Sequence, residues 1–141
     1  MTARFTVPGE PRGKGRPRYK KIGGFVKPYT PEETASYENL IKLEYERQCG
    51  GMFFGKDEPL EMVVNAYYSI PKSTSKKKAA LMREGVIRPM KKPDSSNVVK
   101  TIEDALNKVA YHDDVQIVET HVSRFYSETP RVEVQLKGIL K

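Results

Sequence analysis

The sequence predicts a single α+β domain, a small mixed sheet with helices mainly on one face. Three observations carry that expectation. Leu60 to Ile70 alternates strictly, with Leu60, Met62, Val64, Ala66, Tyr68 and Ile70 on one side, which is the mark of a half-buried strand. Two longer segments, about 30–48 and 95–108, carry apolar residues at helical spacing. The C-terminal third holds two further strand-like runs, 115–125 and 131–137. A chain of 141 residues suffices for one core, and no repeat or linker marks a second unit, so residues 1–141 are read as one domain.

Arg4 to Val7 reads as a short strand ended by Pro8-Gly9. Residues 9–24 are rich in Gly, Pro and basic side chains and read as a loop, after which Phe25-Val26 returns as a brief strand. Thr30-Pro31-Glu32-Glu33 is a helix start: Thr30 caps, Pro31 suits the first helical position, and Glu33 completes a capping box. That helix runs to about Gln48, stops at Gly50-Gly51, and buries Tyr37, Leu40, Ile41 and Tyr45. Pro71 ends the central strand, and Ser73 to Gly85 reads as a short basic helix started by Ser73 or Ser75. Val98, Ile102, Ala105, Leu106 and Val109 form the buried stripe of the 95–108 helix. Asn97, Lys100, Asp104 and Lys108 share another face of it. The last two strands read as a hairpin about Ser127–Pro130, with Val132, Val134 and Leu136 pointing inward.

Composition excludes several classes. No apolar run approaches the roughly 18–20 residues of a membrane span, and the N-terminus lacks the apolar core of a signal peptide. A single cysteine, Cys49, rules out an internal disulfide and a cysteine-based zinc site. No GxxxxGK motif followed by Ser or Thr is present, so no nucleotide cofactor is expected. A cytoplasmic protein without a membrane partner is the expectation.

The net charge of +7 is clustered. Arg12 to Lys21 holds six basic residues (Arg12, Lys14, Arg16, Arg18, Lys20, Lys21) and no acid. Lys72 to Lys92 holds eight, among them Lys76, Lys77, Lys91 and Lys92, against Glu84 alone. Clusters of this kind suit a polyphosphate, and nucleic acid is the expected partner. Gly13 and Gly15 allow close backbone approach to a phosphate, while Arg16 and Arg18 can each fork two hydrogen bonds to one.

The second cluster runs into an acidic segment, 91–116. Asp94 follows Pro93 at a helix start, Lys100 lies within the helix, and Asp113-Asp114 follow in a turn before a strand. Each has a plain reading: a helix cap, a solvated lysine, a turn. Together, carboxylates at both ends of one helix with a lysine between suggest a hard-metal site for phosphate chemistry. Mg²⁺, with Mn²⁺ as a substitute, needs only two or three carboxylates because it keeps several waters. If Asp113 and Asp114 are extended, they face opposite ways and only one of them faces Asp94. Asp104 pairs with Lys100 or Lys108, and His112 and His121 are weak candidates.

The stretch KPDSSNVVKTIEDALNKVAYHDDVQIV resembles the core motif of RusA-type Holliday junction resolvases, endodeoxyribonucleases of phage and prophage origin. The matching positions are Asp94, Ser96, Asn97, Lys100, Asp104-Ala105-Leu106 and Asp113-Asp114. GKGRPR (Gly13–Arg18) and YTP (Tyr29–Pro31) extend the likeness toward the N-terminus. The resemblance implies Mg²⁺-dependent resolution of four-way DNA junctions by a homodimer with two active sites. It makes Asp94 and Asp114 metal-binding carboxylates, Asp113 an accompanying one, and Lys100 catalytic. Where the best-known members carry a further metal-binding Asp, this chain has Ser96, whose hydroxyl can coordinate but brings no charge. On this reading Lys14, Arg16, Arg18, Lys20, Lys76, Lys77, Lys91, Lys92 and Asn97 contact DNA. Ser96 keeps open a second reading, a branched-DNA-binding protein that is catalytically weak or inactive. An RNA-directed nuclease is a third.

Overall fold

Ten regular elements order the chain in a computed structural model that describes residues 1–15, 18–29 and 32–139. Strand β1 (Thr2–Pro8) is followed by β2 (Arg18–Ile22) and β3 (Phe25–Tyr29), then by helix α1 (Glu32–Cys49). Strand β4 (Leu60–Ser69) leads to α2 (Lys76–Arg83) and α3 (Ser95–Leu106). A 3-10 turn (Asp114–Gln116), β5 (Ile117–Ser127) and β6 (Arg131–Gly138) complete it. The main sheet has the order β1-β6-β4-β5, in which β5 runs parallel to β4 and the other neighbours are antiparallel. The expected α+β class with a mixed sheet is what the structure contains.

Alternation in the strands sets the two faces. Ala3, Phe5 and Val7 of β1, Leu60 to Tyr68 at every second position of β4, and Val132, Val134 and Leu136 of β6 are buried. They meet Tyr37, Ile41 and Tyr45 of α1 and Val98, Ile102, Ala105 and Leu106 of α3 in one core. Each helix thus buries a single stripe against the same sheet face, which is where most of its stability comes from. The opposite face carries Arg4, Thr6, Asn65, Glu133 and Gln135 around a shallow groove. At the free edge of β1, the Gln48 amide bonds both the N–H and the C=O of Thr6 at 2.8 Å, standing in for a missing strand.

Two expectations about local structure are corrected. The last two strands do not form a hairpin, because β4 lies between them. Residues 128–130 cross the end of β4 over two strand spacings, roughly 10 Å, within the reach of three residues. The physical reason lies in burial: β4 is the strand buried at every second position, so it takes the centre. The first half of β5, Val118–His121, is exposed and suits an edge. Residues 9–24 are also not wholly loop: Arg18–Ile22 pairs with Phe25–Tyr29 about Gly23-Gly24, both at positive φ (55° and 85°). That is the backbone a two-residue hairpin turn requires.

Elsewhere boundaries shift by a residue or two. Gly50 and Gly51 end α1 at φ 61° and 73°, as their lack of a side chain allows. The expected cap Thr30 and first-turn Pro31 lie outside the described residues. Helix α2 starts at Ser75, whose hydroxyl accepts the Lys78 N–H at 3.3 Å, and buries no residue. No helix among the described residues is long and apolar enough to cross a membrane.

Candidate active site

Helix α3 organises the site, and the sheet fixes where it begins. Asp94 sits in the N-cap position, and its backbone carbonyl accepts the Val98 N–H at 3.0 Å. Its carboxylate makes no capping hydrogen bond, so the plain explanation of an acid at a helix start does not apply. The chain leading to it is held from behind. Tyr68 of β4 donates its hydroxyl to the Pro93 carbonyl, and Arg124 of β5 donates to the carbonyls of Lys91 (2.7 Å) and Pro93 (3.3 Å). Neither residue stands out in the sequence, since only the sheet brings it to residues 91–93. Replacing Arg124 with Ala is expected to lower turnover at this site about 10-fold while ligand affinity changes little. Single-turnover kinetics beside a binding titration check this.

The polar face of α3 is a charge network. Asp104, with 16% of its side chain exposed, lies between two lysines: Lys14 Nζ at 2.5 Å and Lys100 Nζ at 3.1 Å. Burial works against its charge, but hydrogen bonds from Lys14 and Lys100 outweigh that and hold the carboxyl below the ordinary 3.8. The same bond, donated by Lys100 to Asp104 and joined by the charges of Asp104, Asp114 and Glu103, raises the Lys100 ammonium and keeps it protonated. Lys14 also approaches Glu38 at 4.0 Å. The expectation that Asp104 pairs with Lys100 holds, and the stronger partner comes from the distant basic loop.

Asn97 ties that loop down. Its Oδ1 accepts the Lys14 backbone N–H at 2.8 Å, and its amide donates to the Lys14 carbonyl at 3.4 Å. Gly15 N–H reaches the buried Thr34 hydroxyl at 2.9 Å. A side chain on Gly13 would collide with the Asn97 amide and come within 2.8 Å of Pro93 Cβ. The glycine therefore serves close packing of the loop on α3. Asn97 and Lys14, both expected to touch DNA, have in-chain partners here.

Asp113 is extended (φ −154°, ψ 147°), but Asp114 begins the 3-10 turn, so the two do not form a strand. Asp113 caps the 3-10 turn, its carboxylate accepting the Val115 N–H at 3.2 Å, while Gln116 Oε1 accepts the Asp113 N–H at 3.1 Å. The argument from opposite strand faces falls with that, because Asp114 begins the turn. The Val115 N–H and the neighbouring Asp114 hold Asp113 below the usual carboxylate range. Burial, then the Asp113 carboxyl, push Asp114 above it. Glu103, which the sequence reading passed over, is likewise raised, by burial and then by the charge of Asp114. Its one sequence signal is its position three residues after Lys100.

Asp114 thus faces Lys100, Asp104 and Asp113 beside the middle and end of α3, whereas the charge of Asp94 is felt by Tyr68 at the start. Repulsion of Asp114 by Asp113 and Asp104, and of Glu103 by Asp114, leaves negative charge that Lys100 and Lys14 do not fully balance. Oxygen donors in excess of their cations fit a hard divalent ion, with Asp94 and Asp114 free of competing cap bonds. Asp94, Asp113 and Asp114 do not by themselves converge within 4.8 Å. Among the described residues the His/Cys/Asp/Glu group that does is Glu61, Glu119 and His121, on the polar sheet face. There His121 Nε2 pairs with Glu61 at 3.5 Å. Ser96 lies exposed in the first turn of α3, and His112 is exposed beside the turn.

The remaining basic candidates lie on several elements. Lys76 and Lys77 are exposed on α2, Lys20 on β2, and Lys92 beside the start of α3. Lys91 lies over the rings of Tyr126 (5.7 Å) and Tyr68 (6.0 Å). Arg16 and the Arg18 side chain lie outside what is described.

Comparison with known proteins agrees with this architecture. A family model described as Endodeoxyribonuclease RusA matches residues 8–137. The uncharacterized protein YqaN of Bacillus subtilis (strain 168) is 39% identical over 138 residues, covering 96% of this chain and 96% of its own. The family match takes in β1's end, the basic loop, α3 with Asp94, Lys100 and Asp104, and the Asp113-Asp114 turn, and on that extent the chain belongs to the RusA endodeoxyribonuclease family.

Proposed function

We propose that this protein is a Mg²⁺-dependent, structure-selective endodeoxyribonuclease that resolves four-way DNA junctions in recombination and repair. The observation that carries the reading is family membership across residues 8–137, together with Lys100 paired with Asp104 on α3. When bound, Mg²⁺ (or Mn²⁺) would polarise the scissile phosphate and acidify a water. Asp94 and Asp114 would hold it, Asp113 would accompany Asp114 as a neighbouring carboxylate, and the Ser96 hydroxyl would add a neutral donor. Lys100, kept charged and aimed by Asp104, would balance charge building on the phosphate oxygens. Lys20, Lys76, Lys77, Lys91 and Lys92 would contact DNA phosphates by charge rather than sequence, with Arg16 and Arg18 extending that surface. A homodimer would place two such sites on one junction, as paired nicks require, in the cytoplasm of a bacterial or phage-infected cell.

A labelled four-way junction with Mg²⁺ tests this. Wild-type protein should give symmetric nicks, and Asp94→Asn should reduce them at least about 100-fold. Absence of metal-dependent cleavage on every branched DNA overturns the reading. Ser96, an uncharged residue at a position where the family's best-known members carry an acid, favours one alternative, a junction binder of little activity. Tight binding with Mg²⁺ and no nicks would select it, and competition by RNA junctions would expose an RNA-directed enzyme.

A further inference from the structure

The β2–β3 hairpin has exposed apolar side chains that the fold does not use. Among the described residues it pairs only with itself and joins neither edge of the main sheet. Tyr19, Phe25 and Val26 are 69%, 73% and 64% exposed. Cross-strand register puts Phe25 on one face with the directly opposed Lys20 and Lys27, and Tyr19, Lys21, Val26 and Pro28 on the other. From Pro11 to Pro31 there are seven basic residues and no acid.

An isolated two-stranded hairpin is marginal in water, and like charges directly opposite each other weaken it further. A partner that relieves both problems must offer negative charge and an apolar face at the same place. A second copy of this chain would bring the same uncompensated lysines. Nucleic acid brings phosphates, and where its bases are unstacked it brings exposed rings as well. The hairpin's root is also fixed, since residues 13–15 are latched to α3 and α1 by Asn97, Asp104 and Thr34. It therefore begins within three residues of the loop docked on the candidate active site.

Resting on the nuclease reading, we propose that the β2–β3 hairpin is a branch-point wedge. Phe25 on one face and Tyr19 with Val26 on the other stack on the bases unpaired or unstacked on either side of the inserted hairpin. Lys20 and Lys27 beside Phe25, and Lys21 beside Val26, hold the flanking phosphates. Aromatic and apolar wedges are an established way to stabilise an opened base step.

The test uses full-length protein and junctions carrying 2-aminopurine at the crossover or within an arm, without divalent metal so that no strand is cut. Wild-type binding should change the crossover signal and leave the arm signal unchanged. Phe25→Ala should lose that change and weaken junction binding on the order of 10-fold, with melting temperature and salt dependence preserved. Phe25→Trp should restore both. The Lys20→Ala/Lys27→Ala pair should instead flatten the salt dependence. An unaltered crossover signal in Tyr19→Ala/Phe25→Ala/Val26→Ala, in a protein whose wild type cuts junctions normally, overturns the wedge alone. So does a signal loss accompanied by conversion of a dimer to monomers in sedimentation. Failure of wild-type protein to bind any branched DNA overturns the nuclease reading and the wedge with it.

Discussion

Asp114→Asn is expected to lower junction cleavage at least about 100-fold while leaving the fold as stable as wild type or slightly more so. The catalytic loss follows from removing one of the two carboxylates proposed to hold the metal. The stability effect follows from repulsion. Burial and the adjacent Asp113 raise the Asp114 carboxyl, and its charge in turn raises Glu103. A neutral amide at 114 removes that strain. Because the folded-state pKa of Asp114 is raised, its ionised form disfavours the folded state at neutral pH. That penalty disappears as pH falls through the raised pKa toward the ordinary 3.8. The Asn variant's gain, a few tenths of a kcal/mol given solvent screening, should therefore be full at neutral pH and absent near pH 4. Denaturant titrations at several pH values, beside a nicking assay, measure both. A variant that is inactive and also several kcal/mol less stable would place Asp114 in the framework instead.

Asp104→Ala should cost about 2 kcal/mol of stability and lower turnover as well. The carboxylate is the closest partner of Lys14 at 2.5 Å and also holds Lys100 at 3.1 Å. Without it the Lys14 ammonium keeps, among the described residues, only Glu38 at 4.0 Å, and the basic loop loses a main tie to α3. In a chain of this size that is a fall of roughly 6–8 °C in melting temperature. Lys100 would keep its charge but lose its aim, so turnover should drop about 10-fold more than DNA affinity does. Asp104 is held below the ordinary 3.8, so its ionised form favours the folded state at every pH above that value. The stability gap between wild type and Asp104→Asn should be full at neutral pH and shrink as pH falls below about 3.8. A gap that does not change with pH would mean the side chain's size, not its charge, matters.

The parts of the fold set by local periodicity were legible. The alternation of β4 and the apolar stripe of α3 name the residues that meet in the core, since a face must bury what water rejects. Strand order was not legible, because β5 and β6 each look like a competent edge neighbour. Only competition for the most buried strand decides that β4 separates them. That the turn begins at Asp114, just after an extended Asp113, was not legible, because the bend depends on Gln116 bonding back to Asp113, a side-chain contact that spacing does not reveal.

The site divides the same way. Residue chemistry along 91–116 suffices to propose carboxylates, a lysine and a basic surround, because charge and hydrogen-bonding capacity belong to each side chain wherever it lies. Partner choice does not. That Asn97 holds the Lys14 backbone, that Asp104 joins Lys14 to Lys100, and that Tyr68 and Arg124 fix the approach to Asp94 are contacts between distant segments. They exist because α3 packs on β4 and β5 while the basic loop folds across it. Sequence alone determined which groups are present and which faces are buried. Only the tertiary structure decided which of the charged groups neutralise one another, because Coulomb and hydrogen-bond energies depend on separations of a few ångströms that the packed core sets.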